Sequence, residues 1–249
     1  IDVVGIFTGP VGRADLVRKV IEAGKDVMTT KPFELDPRAA MDVLMSAREK
    51  GRVVHLNSPS PLPSAELGQV HTWIGKHDLG APVGCRCEVW AKYFEKADGS
   101  WYDDPQKCPV APIFRLGIYL INDMVRFCGR PRSVQVAHSR LHTGRPTPDN
   151  AQLTISFENG ALGSVYVSLD FDDREFYKNS MTLNFERGTV YRNVGPIEES
   201  WKCVSGSRMS VVYADPDNEN GKKVEHARFD EHSGEYQWEV FYRAVSGER

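Results

Sequence analysis

The stretch Ile21-Glu-Ala-Gly-Lys-Asp-Val-Met-Thr-Thr-Lys-Pro-Phe33 decides the fold class of this chain. It joins the end of an amphipathic helix to a short apolar strand, Asp26 to Thr29, and then to a Lys31-Pro32 turn. A lysine at the carboxyl end of a strand in an open α/β sheet lies at the crevice where such sheets bind ligands. Because a lone lysine is usually a solvated loop residue, a role for Lys31 depends on the sequence around it.

Strands alternate with helices around this stretch, from Ile1 to about His55. Strands are predicted at 3–7, 26–29 and 53–56. The first helix carries Leu16, Val17, Val20 and Ile21 on its apolar face, and the second carries Ala39, Ala40, Val43, Leu44 and Ala47. Asp36 is the expected N-cap of the second helix, with Pro37 in its first turn. This βαβαβ order predicts a parallel, doubly wound unit.

The remainder of the chain changes to a period of two, which is typical of antiparallel strands. A hairpin is predicted at 151–157 and 165–171, joined at Asn159-Gly160, with further strands at 133–137 and 181–185 and covering helices at 65–74 and 117–128. Three prolines between 57 and 63 mark a boundary. We therefore predict two domains. Residues 1–57 form the C-terminal part of a Rossmann-like parallel sheet, and residues 58–249 form an open, mainly antiparallel sheet with helices on one face.

The composition excludes several classes of partner. A net charge of -3 over 249 residues gives no electrostatic argument for binding nucleic acid or an anionic membrane, and neither is expected as a partner. Five unevenly spaced cysteines suit reduced thiols in a cytosol, and Cys85-x-Cys87 is interpreted as strand packing. The chain starts inside an apparent strand without a methionine, so we expect it to be a piece of a longer, cytoplasmic polypeptide whose leader, if any, is not in view.

Two segments carry a resemblance to a known family. Glu22-Ala-Gly-Lys-Asp-Val27 and Thr30-Lys31-Pro32 resemble the Ala-Gly-Lys-His-Val and Glu-Lys-Pro signature of the Gfo/Idh/MocA family of nicotinamide-dependent sugar and polyol dehydrogenases. Arg115-Leu-Gly-Ile-Tyr-Leu-Ile-Asn122 is similar to that family's Asp-x-Gly-x-His-x-Ile-Asp helix. The order and separation of these motifs make the resemblance specific, although it is faint beyond about Tyr191.

The resemblance implies an NAD(P)-dependent oxidoreductase that acts on a sugar, polyol or related hydroxy compound. Hydride passes between the substrate carbon and the nicotinamide while a base takes the hydroxyl proton. Lys31 matches the family's catalytic lysine, in a peptide often held cis before Pro32. Tyr119 stands where the family most often has histidine, and tyrosine is known there in one branch. The resemblance also implies a homo-oligomer formed through the antiparallel sheet.

The helix that carries Tyr119 presents a polar stripe of Arg115, Tyr119, Asn122 and Arg126 at i, i+3 and i+4 spacing. One interpretation is a solvated helix face. The other is a cleft wall, in which Arg115 and Asn122 bind substrate and the planar fork of Arg115 holds a carboxylate or phosphate. Arg115 replaces the family's aspartate, which is the larger departure from its pattern.

The cofactor residues are assigned by position. Thr8, Gly9 and Pro10 match the turn after the family's fourth strand, Thr30 occupies its usual glutamate position beside Lys31, and Asn57 ends the next strand. The family's Gly-x-Gly-x-x-Gly loop has no counterpart here, so the sequence does not discriminate NAD from NADP. Alternatively, Gly9-Pro-Val-Gly12 before a helix could itself cradle a phosphate.

Other polar residues carry weaker signals. The seven histidines show no metal-ligand spacing, and no metal is expected. Ser58, Ser60 and Ser64 lie in the proline-rich segment without a nucleophile-elbow pattern. A second hypothesis therefore stays open, a non-catalytic fragment or degenerate homologue that acts in ligand binding or assembly, supported by the absent glycine-rich loop, Arg115 and Thr30.

Overall fold

A computed structural model describes residues 1–58, 63–174, 177–196, 206–229 and 235–248. Its first part is a three-stranded parallel sheet with strands in the order β1-β2-β3. The strands and helices alternate along the chain: β1 Val3–Ile6, α1 Arg13–Glu22, β2 Asp26–Thr29, α2 Pro37–Glu49 and β3 Val54–Leu56. The predicted βαβαβ unit is confirmed, and each strand agrees with the prediction to within one residue.

Local chemistry explains where α2 begins. The Asp36 carboxylate accepts hydrogen bonds from the backbone N–H groups of Arg38 and Ala39, as its predicted capping role requires. The core of this part includes Val17, Val27 and Val43, which are fully buried. Leu16 and Leu44 were expected to face inward, but they are 38% and 41% exposed. The prediction was wrong for both because the buried stripe of each helix is narrower than its apolar face.

The second part is an eight-stranded sheet. Its strands are β4 Pro82–Ala91, β5 Pro131–Ser139, β6 Asn150–Phe157, β7 Leu162–Ser168, β8 Tyr177–Phe185, β9 Gly188–Arg192, β10 Ser207–Ala214 and β11 Lys222–Phe229. They lie in the order β11-β10-β9-β8-β4-β7-β6-β5. Only the β4 and β7 pairing is parallel among the described pairs. The open, mainly antiparallel sheet is therefore confirmed.

Helices cover the apolar face of this sheet. They are α3 Ala65–Lys76 and α4 Ile118–Cys128, and a π-helical turn at Ile113–Gly117 precedes α4. Met124 of α4 packs so closely on β7 that a Cβ at Gly163 would lie 2.2 Å from its sulfur. Cys85 and Cys87 are buried free thiols in the same core, so their predicted packing role is confirmed. Phe171 is the last residue of the strand predicted at 165–171, where alternation places it on the apolar face with Val165, Val167 and Leu169. It is instead 46% exposed because β7 ends at Ser168.

A last helix, α5 Glu235–Ser246, returns to the first sheet. The Gln237 side-chain oxygen lies 3.2 Å from the Nε2 atom of His55 on β3. The Phe241 ring lies 5.3 Å from the His55 ring, and both residues are buried. The end of the chain therefore packs on the first part, whereas our predicted division assigns it to the second. The boundary between 1–57 and 58–249 stays a prediction.

Candidate active site

The carboxyl ends of β1, β2 and β3 lie together at one edge of the first sheet because the strands are parallel. Thr8, Thr30 and Asn57 follow these three strands in turn. Lys31 is in the turn after β2, and its bond to Pro32 is cis, as the resemblance implies. This edge is where ligands bind in open α/β sheets.

Lys31 and Tyr119 come together from the two parts of the molecule. The Lys31 ammonium donates a hydrogen bond of 2.6 Å to the main-chain oxygen of Arg115, which precedes α4 by one turn. The same ammonium lies 5.3 Å from the centre of the Tyr119 ring. The structure therefore brings the two predicted catalytic residues to one place, although their roles remain predictions.

The surroundings of Lys31 alter its acidity. Burial and then the nearby charge of Arg115 lower the pKa of Lys31 to about 8. Desolvation disfavours the ammonium because it removes water from the charge, and a like charge adds to the same effect. Lys31 is therefore mainly an ammonium at neutral pH, and it loses its proton far more easily than an exposed lysine.

We expect this shift to appear in the reactivity of the side chain. Because only the neutral amine is nucleophilic, acetylation of Lys31 should rise with a midpoint near pH 8, against 10.5 for an ordinary lysine. Competitive labelling with acetic anhydride across pH, read by peptide mass spectrometry, measures this midpoint independently of how burial slows the reaction. A Lys31 midpoint that coincides with those of the surface lysines would contradict the shift.

The Tyr119 hydroxyl has a partner that the sequence analysis set aside. The Ser58 hydroxyl donates a hydrogen bond of 2.7 Å to the Tyr119 oxygen. Ser58 follows Asn57 directly at the carboxyl end of β3, so the same edge of the sheet supplies it. Its position two residues past a predicted strand was the signal in the sequence. The absence of a nucleophile motif hid that signal.

Arg115 occupies a different position from the one that we expected. Its guanidinium donates to both carboxylate oxygens of Glu95, with the Nη2 contact at 2.8 Å. The rings of Tyr93 and Tyr102 lie 4.8 and 4.6 Å from the guanidinium carbon. The fork that we predicted to bind a substrate anion is thus engaged by Glu95, and hydrogen bonds from Arg115 lower the pKa of that carboxyl below its usual value.

Arg145 extends this network. Its Nε donates to Glu95 at 3.1 Å, and its Nη1 donates to Asp98 and Asp103 at 3.0 and 2.7 Å. With Arg115 included, three carboxylates therefore face two guanidinium groups. The negative charge of the carboxylates balances much of the positive charge beside Lys31. Glu95 and Arg145 lie in no recognisable motif, so neither was predicted from the sequence.

The polar stripe on α4 is not a solvated helix face. Arg115, Tyr119, Asn122 and Arg126 are all half-buried. The cleft-wall interpretation therefore fits the structure better than the solvated one. Asn122 lies one turn after Tyr119 on the same face of the helix, and its role in substrate binding stays a prediction.

The turn after β1 is shaped by two neighbours. A Cβ at Gly9 would lie 3.1 Å from the indole of Trp101, so glycine lets this ring cover the turn. The Arg13 guanidinium, 1% exposed, donates hydrogen bonds to the main-chain oxygens of Thr8, Thr30 and Pro32. Arg13 thereby joins the turns after β1 and β2 and fixes the backbone on both sides of Lys31. No motif pointed to this residue.

The alternative phosphate cradle at Gly9-Pro-Val-Gly12 meets an obstacle. The Glu34 carboxylate accepts a hydrogen bond of 2.9 Å from the backbone N–H of Ala14 in the first turn of α1. A negative side chain at a helix N-terminus satisfies the donors that a phosphate would need and repels a second anion. The structure disfavours this interpretation.

One observation at this edge of the sheet is what a binding site for a nicotinamide dinucleotide would show. The Asn57 side-chain oxygen is buried and has no hydrogen-bond partner among the described residues. A buried acceptor without a donor is costly, and a carboxamide or a ribose hydroxyl of the cofactor would supply one. Thr8, Gly9, Pro10 and Thr30 border the same edge, where they would contact that group.

Neither a metal-binding cluster nor a membrane-spanning helix occurs in the described ranges. No group of three or more histidine, cysteine, aspartate or glutamate side chains among these residues could hold a metal ion. In the same ranges, no helix is both long and apolar enough to cross a membrane.

The chain matches two family models along most of its length. Residues 1–58 match the oxidoreductase family with an NAD-binding Rossmann fold, and residues 68–191 match the Gfo/Idh/MocA C-terminal domain. No curated protein matches the sequence significantly. The chain belongs to the Gfo/Idh/MocA family of oxidoreductases. The predicted family and the NAD or NADP cofactor class are thereby confirmed.

Solved structures share the fold at low identity. An NAD-binding oxidoreductase from Klebsiella pneumoniae is 18% identical with a TM-score of 0.73, over 100% of this chain and 71% of that one. A levoglucosan dehydrogenase in complex with NADH is 15% identical with a TM-score of 0.76, over 99% and 70%. A UDP-N-acetylglucosamine 3-dehydrogenase from Acidithiobacillus ferrooxidans is 16% identical with a TM-score of 0.69, over 100% and 72%.

Proposed function

We propose that this protein is an NAD(P)-dependent oxidoreductase that transfers hydride between the nicotinamide and an alcohol carbon of a sugar, polyol or related compound. The observation that carries the proposal is the approach of the Lys31 ammonium to within 5.3 Å of the Tyr119 ring. This pair lies at the sheet edge where the cofactor class of the family is expected to bind.

In this mechanism Tyr119 moves the proton. When bound, the nicotinamide ring accepts or returns the hydride. In the oxidation direction the Tyr119 phenolate takes the proton of the substrate hydroxyl, and in reduction its phenol gives that proton back. The Lys31 ammonium stabilises negative charge on the phenolate and on the substrate oxygen, because an opposite charge nearby favours the anion.

The proposed substrate is a neutral or weakly charged polyhydroxy compound. Glu95, Asp98 and Asp103 offset the charges of Arg115 and Arg145, so the wall beside Lys31 is not strongly basic. A protein of the same fold is named for action on levoglucosan, a neutral sugar, which supports this class. Another is named for action on UDP-N-acetylglucosamine, which supports a sugar hydroxyl as the reacting group but carries a charged diphosphate. Asn122 remains our candidate for binding a substrate hydroxyl.

The test is a panel of alcohols in a coupled absorbance assay. Levoglucosan, UDP-N-acetylglucosamine, myo-inositol and simple aldoses are each supplied with NAD⁺ or NADP⁺, and the appearance of the reduced cofactor is followed. Turnover of at least one polyhydroxy compound is expected. No turnover of any compound in the panel with either cofactor would contradict the proposed reaction.

One observation favours a second candidate, a non-catalytic homologue that acts in ligand binding or assembly. The indole of Trp101 covers Gly9, on the turn where we expect the nicotinamide side of the cofactor. An indole in that place would compete with the nicotinamide ring for the same space.

A cofactor titration separates the two candidates. We expect NADH or NADPH to bind saturably and to quench tryptophan fluorescence, with a smaller signal in Trp101→Phe because that ring borders the turn. Trp238→Phe is the matched control, since Trp238 is 60% exposed on α5. Unchanged fluorescence and no heat of binding by calorimetry, up to millimolar cofactor, would favour the non-catalytic homologue.

We further propose a homo-oligomer in the cytosol. All nine residues of β5 are exposed, and Val134 and Val136 are 61% and 49% exposed on this edge strand. An exposed apolar edge of this kind favours pairing with another chain. Light scattering should give a mass above the 28.0 kDa of one chain, and a monomer at micromolar concentration would contradict this.

The buried free thiols of Cys85, Cys87, Cys108 and Cys128 support a reducing compartment.

A further inference from the structure

We propose that Ser58 is a positioning residue for Tyr119, holding its oxygen in line for proton transfer and favouring its phenolate form. The inference rests on the proposed function, because it gives Tyr119 its role in the reaction. Its basis is the hydrogen bond of 2.7 Å in which the Ser58 hydroxyl donates to the Tyr119 oxygen. This bond joins residues from the two parts of the molecule at the candidate site.

The direction of the hydrogen bond matters. Once Tyr119 has given up its proton, its oxygen can only accept, and Ser58 is the hydroxyl within 2.7 Å that can donate to it. A donor to a phenol oxygen stabilises the negative charge that develops when the proton leaves, and hydrogen bonds to charged acceptors are stronger than those to neutral ones. Ser58 thus supports the form of Tyr119 that acts as a base.

Charged and titratable groups surround Tyr119 on every element packed against it. Lys31 approaches its ring from the turn after β2. Arg115 lies one turn earlier on the same helical segment, with Glu95 as its ion-pair partner. The other groups that interact electrostatically with it are Tyr93 after β4, Tyr102 in the turn Trp101–Asp103 and Tyr177 at the start of β8. Lys31 and Ser58 therefore approach Tyr119 from two sides, the ammonium beside its ring and the hydroxyl at its oxygen.

The neighbouring serines show that this contact is not a property of the segment. The Ser64 hydroxyl accepts a hydrogen bond from the backbone N–H of Leu67 and caps α3, which is a structural role. Ser60 lies outside the described residues. Ser58 instead directs its hydroxyl at a side chain that lies 61 positions further along the chain.

The test is a pH titration of the free protein by NMR, with tyrosine labelled at the ring carbon that bears the hydroxyl. The Tyr119 signal is assigned by its loss in Tyr119→Phe. In Ser58→Ala, the Tyr119 phenolate signal should appear about one pH unit or more above its position in the wild type. Ser58→Thr, which keeps the hydroxyl, should restore the wild-type titration, and Ser139→Ala on the exposed strand β5 should leave it unchanged.

A Ser58→Ala titration that overlays the wild type would overturn the inference, as would an equal shift in Ser139→Ala. A kinetic readout accompanies it wherever the substrate panel yields turnover. There, Ser58→Ala should lower kcat about 10-fold, with the KM for the cofactor unchanged and the pH profile displaced to higher pH. The NMR experiment needs neither cofactor nor substrate. If no alcohol in the panel were turned over, the proposed function would fail, and the NMR titration would still test the role of the Ser58 contact.

Discussion

Replacing Lys31 with methionine should lower kcat by about 100-fold to 1,000-fold while the protein stays folded. Methionine matches the length and apolar character of the lysine stem but removes the ammonium that lies 5.3 Å from the Tyr119 ring. The lost charge is one that stabilises the transition state, so kcat should fall more than the affinity for the cofactor. The measurement is steady-state turnover of the best alcohol in the panel, with circular dichroism as the check on folding.

The matched control is Lys25→Met in the same stretch of sequence. The side chain of Lys25 is 39% exposed, and its distance to Asp2 is 3.9 Å, so its loss should leave turnover within about two-fold of wild type. Retained activity in Lys31→Met, or an equal loss in both variants, would reject the catalytic assignment of Lys31.

Removing the hydroxyl of Tyr119 by the Tyr119→Phe substitution should reduce kcat by about 100-fold to 10,000-fold. Phenylalanine keeps the ring and its packing on α4, so the loss isolates proton transfer. Binding of NADH or NADPH should persist, because the cofactor contacts are proposed at Thr8, Gly9, Thr30 and Asn57. A fluorescence titration beside the kinetic assay measures both properties.

Tyr242→Phe provides the comparison for this change, since Tyr242 is 66% exposed on α5. It should behave as wild type in both assays. If Tyr119→Phe turned over substrate at the wild-type rate, another group would have to carry the proton, and the proposed mechanism would be wrong. If it lost cofactor binding as well, Tyr119 would belong to the cofactor site.

The elements of the fold could be predicted because their signals are local. Hydrophobic periodicity, the Asp36 cap and the turn residues report on each segment by itself, and the three strands of the first sheet matched the predictions to within one residue. In the second sheet, the predicted strand 165–171 lies at 162–168, and β9, β10 and β11 were not predicted. The inward faces of α1 and α2 were predicted less well. Leu16 and Leu44 are apolar at helical spacing, but how wide a stripe is buried depends on what packs against the helix.

The residues of the candidate site also fall into those that local sequence predicted and those that it did not. Lys31 and Tyr119 were predicted from motifs that are each continuous in sequence. The partners of Arg115 and Tyr119 were not, because Glu95 and Ser58 belong to other segments, and no spacing rule relates them. Arg115 shows the consequence, since the sequence suggested an anion-binding fork, whereas the folded chain pairs that fork with Glu95.

By itself, the sequence determined the alternation of strands and helices, the parallel and antiparallel parts, and a lysine at the carboxyl end of β2. Only the tertiary structure decided which side chains face that lysine and which polar groups neutralise one another. The reason is physical: periodicity and capping are short-range effects along one chain segment. Electrostatic and hydrogen-bonding partners depend on distances of a few ångströms between segments that only packing brings together.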